Sequence, residues 1–206
     1  PLNRQPGQAL WPYRYDEEAL RKIRRAIQTY HGERWWTALY QQKPQAQSGG
    51  MFKRHYFNVR DIAAPLVSTV RSWDLAATPE AAATDPDWTV GVLMGIDGEG
   101  RIWVLDVRRI QGSPLEVQEL VKATAEMDGP QVDILIEEET GGAGKSLVDF
   151  YRREVLKGYV SSAFKPRSKK ERRAEPLAST AELGHLYIVR GGWNQKYVEA
   201  LVGFPF

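Results

Sequence analysis

Four residues, Asp97-Gly98-Glu99-Gly100, separate two apolar runs, WTVGVLMGI (88–96) and RIWVLDVRRI (101–110). Runs rich in β-branched residues on either side of an Asp-Gly turn make a β-hairpin. A third run, VSTVRSWDLA (67–76), precedes them across a loop containing TPEAAATDPD (78–87). The chain is therefore strand-rich from about Leu66. Three strands in meander run antiparallel, and this commits the middle of the chain to a sheet.

Beyond the meander, helices and strands alternate. Ser113-Pro114-Leu115-Glu116 is a capping box with proline at the first helical position. It predicts a helix to about Met127 that buries Val117, Leu120, Val121 and Ala125, ended by Asp128-Gly129-Pro130. Val132–Glu137 is a short, mostly apolar fourth strand, as a buried central strand should be. A helix over about Gly144–Leu156, a short strand near Tyr159–Ala163 and a basic helical stretch over about 168–183 come next. The strand LYIV (186–189) and a last helix from Asn194, with Tyr197, Val198, Leu201 and Val202 on one side, complete the pattern. Three antiparallel strands and then alternating helices and strands predict an α/β three-layer fold with a mixed sheet, in an order that suggests the ribonuclease H-like arrangement.

Residues 1–65 have a different character. A segment containing Pro, Gln and Gly leads to a helix over about Asp16–Gln28, with Ala19, Leu20, Ile23, Ala26 and Ile27 on one face and Asp16 as its cap. HGERWWTALYQQKPQAQSGG (31–50) is aromatic first, then polar and turn-rich. It reads as an arm that packs by its tryptophans and crosses a loop to Met51 and Phe52. With 42% hydrophobic and 26% charged residues the composition is that of a globular protein. No apolar stretch approaches the roughly 18 residues of a membrane helix. The absence of cysteine restricts any metal site to oxygen or imidazole ligands, and the three histidines show no zinc-site spacing.

Residues 136–147, IEEETGGAGKSL, raise two opposed chemistries. Gly144-Lys145-Ser146 match the end of a phosphate-cradling loop, but the glycine that should open that motif is Glu139. Glu138 and Glu139 would then stand beside a triphosphate, where like charges oppose binding. A P-loop also normally begins a parallel sheet, whereas this stretch comes after a meander. The residues therefore weigh against a nucleotide. The plainer alternative is that Gly141, Gly142 and Gly144 only permit a tight strand-to-helix turn.

Divalent-metal nucleases bring carboxylates from different strands to one spot, with magnesium held through oxygen ligands and retained waters. Asp74 closes a β-branched run, where an acid costs desolvation unless it is paired, metal-bound or at a solvated end. Glu137 closes the fourth strand, at the strand end where ligands collect in α/β sheets. If those two strands are neighbours, Asp74 and Glu137 meet. If they are not, each is a solvated strand end. Asp85 and Asp87 read as turn and capping residues, with Asp87 near the same edge. KPRSKKERR (165–173) carries six basic residues against one glutamate, all available to a phosphate backbone: Lys165, Arg167, Lys169, Lys170, Arg172 and Arg173. Its alternative is a solvated helix face.

The ordered succession LWPYRYDEEALRKIRRAI, WWTALYQQKPQAQSGGMFKRHYF, SWDLA, IEEETGGAGKSLVDFYRREVL, KKERRAEPLASTAELGHLYIVRGGW and GFPF resembles the nuclease domain of the large terminase subunit of tailed bacteriophages and prophages. The resemblance spans essentially the whole chain. It implies a ribonuclease H-like nuclease domain over 66–206, with 1–65 an arm packing on it. It implies an endonuclease that cuts concatemeric double-stranded viral DNA during genome packaging in the host cytoplasm, using two magnesium or manganese ions. By position Asp74 resembles the first-strand ligand, bridging the metals, and Glu137 the second. The glycine turn matches a family loop that binds no ATP. The same resemblance implies an ATPase domain upstream, the small terminase subunit and portal as partners, and a pair of aspartates beyond the closing Phe-Pro. The chain, ending at Phe206, is accordingly expected to be a fragment. Other classes compatible with the residues are a junction resolvase or transposase-like nuclease and a non-catalytic DNA clamp of the packaging motor.

Overall fold

In the computed structural model, residues 9, 11–31, 36, 40, 50–76, 87–139 and 142–205 are described. The loop read over 78–86 with Asp85, Gly141, the first residues of the N-terminal segment and most of 32–49 lie outside the described residues. The chain divides into two compact units at Gly50 and Met51.

In the first unit, α1 (Glu17–His31) starts where Asp16 caps it: Ala19 N–H donates to Asp16 Oδ1 at 2.7 Å. Glu17 and Glu18 add negative charge to the first turn and pair one turn on with Arg21 and Lys22. Ala19, Leu20, Ile23 and Ile27 are half-buried, as the periodicity predicts, but Ala26 is exposed. Trp36 is buried, stacks on Tyr40 at 4.4 Å and carries the Arg24 guanidinium over its ring.

The second unit is built on seven strands: β1 (Asn58–Arg60), β2 (Leu66–Asp74), β3 (Thr89–Asp97), β4 (Ile102–Ile110), β5 (Asp133–Glu137), β6 (Ser161–Phe164) and β7 (Leu186–Val189). Their order across the sheet is β1-β7-β4-β3-β2-β5-β6. The meander β2-β3-β4 is antiparallel; β5 joins β2, β6 joins β5, β7 joins β4 and β1 joins β7, all in parallel. All strands except β3 therefore finish at one edge. The three-residue β1 carries no sequence periodicity and is recruited by pairing with β7.

Period-two alternation sends side chains to both faces, and both are covered. Trp73, Ile134 and Ile136 pack under α2 (Pro114–Asp128), α3 (Gly142–Phe150) and the π-helical turn Tyr151–Val155 that continues it. Val104, Leu186 and Ile188 pack with Phe52, Phe57, α4 (Lys170–Glu182) and α5 (Asn194–Gly203). The capping box forms as the sequence predicts: Glu116 N–H donates to Ser113 Oγ at 3.4 Å, and Ser113 N–H to Glu116 Oε2 at 2.7 Å. The Trp73 indole lies across Gly91 on the neighbouring strand, and a Cβ there would come within 2.5 Å of the ring. A nearly fully buried tryptophan is worth several kcal/mol, roughly 3–5 by truncation to alanine, so Gly91 is fixed by its neighbour.

One buried cation crosses the first of these cores. Arg71, 1% exposed, donates from Nε and Nη2 to the Asp128 carboxylate at 2.7 and 2.8 Å. Its Nη2 also reaches Asp106 at 3.0 Å, and its Nη1 reaches the Gly91 carbonyl at 3.2 Å. Every guanidinium nitrogen is thus used, which is the condition for tolerating a buried charge.

Candidate metal centre

Parallel pairing of β2 and β5 sets Trp73 beside Ile136. The next residue of each strand is a carboxylate, so Asp74 and Glu137 leave the sheet side by side. Trp73 and Ile136 point into the α2–α3 core, and alternation turns Asp74 and Glu137 to the other face, toward α4. The sequence places both acids at strand ends; the β2–β5 neighbourhood, which a one-dimensional pattern does not contain, brings them together.

Helix α4 supplies the opposing charge. Arg173 donates to Glu137 through Nη1 and Nη2 at 3.4 and 3.3 Å and lies over the Phe164 ring, which is Glu137's partner on β6. Lys170, three residues earlier on the same helical face, acts on Asp74. The Asp74 carboxyl is nevertheless pushed above the ordinary aspartate range, by burial first and then by the charge of Glu137, with Glu139 adding to it. Lys170 and Arg173 pull the other way without cancelling these effects. The charged form of Asp74 is therefore disfavoured even with both cations beside it.

The donor set is the test of fit for a cation. All donors are carboxylate oxygens, the ligands that magnesium and manganese prefer, and magnesium needs only one or two from the protein. Among the described residues no group of three or more His, Asp or Glu is placed to hold a single metal ion. The two strand-end acids thus fit a cation that keeps most of its water.

The six basic residues read from the sequence do not form one row. Lys170 and Arg173 face the carboxylates. Lys165 comes directly after β6 and pairs with Glu138 at 3.6 Å. Arg167, Lys169 and Arg172 surround an open surface hollow with Glu171 and Glu175. The three-residue spacing of Lys170 and Arg173 was the available signal that these two share a helical face. Asp87 is exposed just before β3. In the glycine turn, Gly144 approaches the Glu139 carbonyl so closely that a Cβ would collide with it, while Lys145 is exposed and the Ser146 hydroxyl donates to Gly142 within its own helix.

Known proteins are similar to this chain in family and in fold. Residues 71–205 match the family model of the terminase RNaseH-like domain. The large terminase nuclease from thermophilic phage G20c is similar in structure, with 14% identity over 72% of this chain and 79% of that chain and a TM-score of 0.50. The same nuclease with bound magnesium is similar at 15% identity over 75% and 79% of the two chains, with a TM-score of 0.52. No curated protein matches. The three-layer mixed sheet is the ribonuclease H-like fold.

Proposed function

Since the chain belongs to the terminase RNaseH-like domain family, we propose that it is the nuclease domain of a phage large terminase, an endonuclease that cuts concatemeric double-stranded DNA in the host cytoplasm. The observation that carries this reading is the pair Asp74 and Glu137, side by side at the ends of parallel strands, with Asp74 held above its ordinary pKa by burial and by Glu137. The magnesium bound to the G20c nuclease is of the class these oxygens suit. Two magnesium or manganese ions, when bound, supply activation of water and stabilisation of the charge that develops on the phosphate.

The chain's own residues do the rest. Asp74 presents its carboxylate at the solvent-exposed end of the strand that Trp73 anchors. Glu137 sets the second ligand one strand away, and Arg173 orients it through both guanidinium nitrogens. Lys170 and Arg173 offer positive charge to an entering phosphate from the α4 side. Arg167, Lys169 and Arg172 extend that charge along the helix start, with Lys165 before it.

The test is nicking of supercoiled plasmid in magnesium, manganese or chelator, run beside calorimetric titration of manganese. Metal-dependent nicking is expected, and Asp74→Ala is expected to lose both nicking and the manganese isotherm. Cleavage that survives chelation, or an isotherm unchanged in Asp74→Ala, would remove the reading. Duplex binding without cleavage or metal uptake would point instead to a DNA clamp.

A further inference from the structure

On the other side of Asp74 the sheet carries an exposed pair that the carboxylates do not explain. The Arg109 guanidinium, on β4, sits 3.5 Å from the centroid of the Trp88 ring, just before β3. Both residues are exposed, Trp88 at 41%. Among the described residues Arg109 has no carboxylate partner. Arg108 and Asp106, at the alternate positions of β4, pair with one another and Asp106 with Arg71 on the opposite face.

The strand register fixes where this pair lies. Asp74 is across from Val90, and Val90 across from Arg109. Residues facing one another across antiparallel strands share a face, so Asp74, Val90 and Arg109 lie in one row. Trp88, two residues before Val90, lies on that face by alternation. At about 4.8 Å per strand, the Arg109 backbone is roughly 10 Å from that of Asp74, on the side away from Glu137. The carboxylate pair is therefore flanked twice: by Lys170 and Arg173 of α4 on one side, and by Trp88–Arg109 on the other.

We propose that Trp88 and Arg109 form a second contact with the DNA backbone, holding a phosphate on the β4 side while α4 holds the strand on the other. The inference rests on the nuclease reading and extends it to residues outside the basic segment. A guanidinium stacked on an aromatic ring spends only its face on the ring. Its in-plane N–H groups stay free for bidentate bonds to phosphate oxygens. The indole also fixes the direction of a long side chain, so less rotamer freedom is lost when the phosphate arrives. An acidic partner is disfavoured by the carboxylates two strands away unless cations accompany it, and DNA at a metal centre meets that condition.

The experiment is anisotropy of a labelled blunt duplex of random sequence in chelator, titrated at several salt concentrations, with plasmid nicking in manganese and thermal melting on the same proteins. Arg109→Ala is expected to weaken duplex binding about tenfold, the effect of losing one charge-assisted contact. It is also expected to flatten the slope of log affinity against log salt by about one. Arg109→Lys should keep the slope and lose part of the affinity, because the charge remains but the fork does not. Trp88→Ala should weaken binding less than Arg109→Ala. If the pair only ties β3 to β4, both alanine variants will melt lower while affinity and slope match the parent, and the proposal falls. An unaltered slope in Arg109→Ala, with the parent still nicking and Asp74→Asn inactive, sinks this inference alone. A parent that neither nicks nor binds duplex sinks it together with the nuclease reading.

Discussion

Strand β2 carries two charges three residues apart, and the molecule treats them in opposite ways. Arg71 faces the α2 core, almost wholly buried, and every nitrogen of its guanidinium has an acceptor on Asp128, Asp106 or Gly91. Asp74 faces α4 at the end of the strand, and its strongest electrostatic neighbour is another carboxylate, Glu137. The first cluster is balanced within the protein. In the second the charge of Asp74 stays disfavoured, with Lys170 and Arg173 insufficient to offset burial and Glu137. A closed network rigidifies a fold, whereas an unbalanced one stores affinity for something that arrives from outside. Both clusters depend on the same strand, so the balanced one also holds the unbalanced one in place.

If that contrast is right, mutations on the two faces should separate activity from stability. The largest effect belongs to Asp74→Asn, which keeps the shape and removes the charge. Nicking in manganese should fall to background, while the melting temperature in chelator should hold or rise because a disfavoured charge is gone. A melting temperature that collapses with the activity would mean that Asp74 is structural. Arg71→Ala should do the reverse. Breaking a buried ion cluster by removing one partner costs about 3–5 kcal/mol, a fall of roughly 10 °C in a unit of this size. The folded fraction, measured at low temperature, should still take up manganese. Smaller again is the effect of the cation on stability. Magnesium at a hundredfold excess over its dissociation constant should stabilise the parent by about 2.7 kcal/mol and Asp74→Asn by much less. Equal stabilisation of both would place the cation elsewhere.

Much of this arrangement was readable along the chain, for reasons specific to each element. The Asp97–Gly100 turn, the Ser113–Glu116 box and the apolar face beginning at Asn194 are local signals, decided by neighbours within four residues, and the structure has all three. Asp74 and Glu137 could be named because an acid closing an apolar run is costly anywhere. Their adjacency could only be posed as a condition, since the β2–β5 pairing joins residues over sixty positions apart. Strand β1 went unread because three residues show no period, and its existence depends on β7. Trp88 and Arg109 looked like ordinary hairpin residues until the register was known. Arg173 looked like one basic residue among six, and only the packing of α4 over β5 distinguishes it. The buried Arg71 carried no signal at all, because nothing near it in sequence pairs with it.

The smallest prediction is also the sharpest on the origin of the imbalance, because a second strand-end aspartate serves as its control. Asp97 closes β3 at the opposite edge. Burial works against its charge, but bonds from Trp103 Nε1, the Arg101 guanidinium and the backbone N–H groups of Arg101 and Glu99 outweigh it and hold the carboxyl well below the usual range. Folding therefore releases a proton from Asp97: its contribution to stability is present above the ordinary aspartate value and is lost as pH falls through the lowered one. Asp74 has the opposite sign. Its raised value means that folding takes up a proton between the ordinary and the raised value, so its contribution diminishes as pH rises across that window and stays diminished above it. Urea melts in chelator should then show the advantage of Asp74→Asn over the parent shrinking on acidification. The deficit of Asp97→Asn should hold through that window and shrink only below the ordinary aspartate value, where protonation removes the charge that its bonds favour. The two difference curves should lie on opposite sides of zero at neutral pH and converge in acid. Curves of one sign would show that burial and Glu137 do not destabilise the Asp74 charge, and the support for the proposed cation site would have to be sought in Glu138 and Glu139 instead.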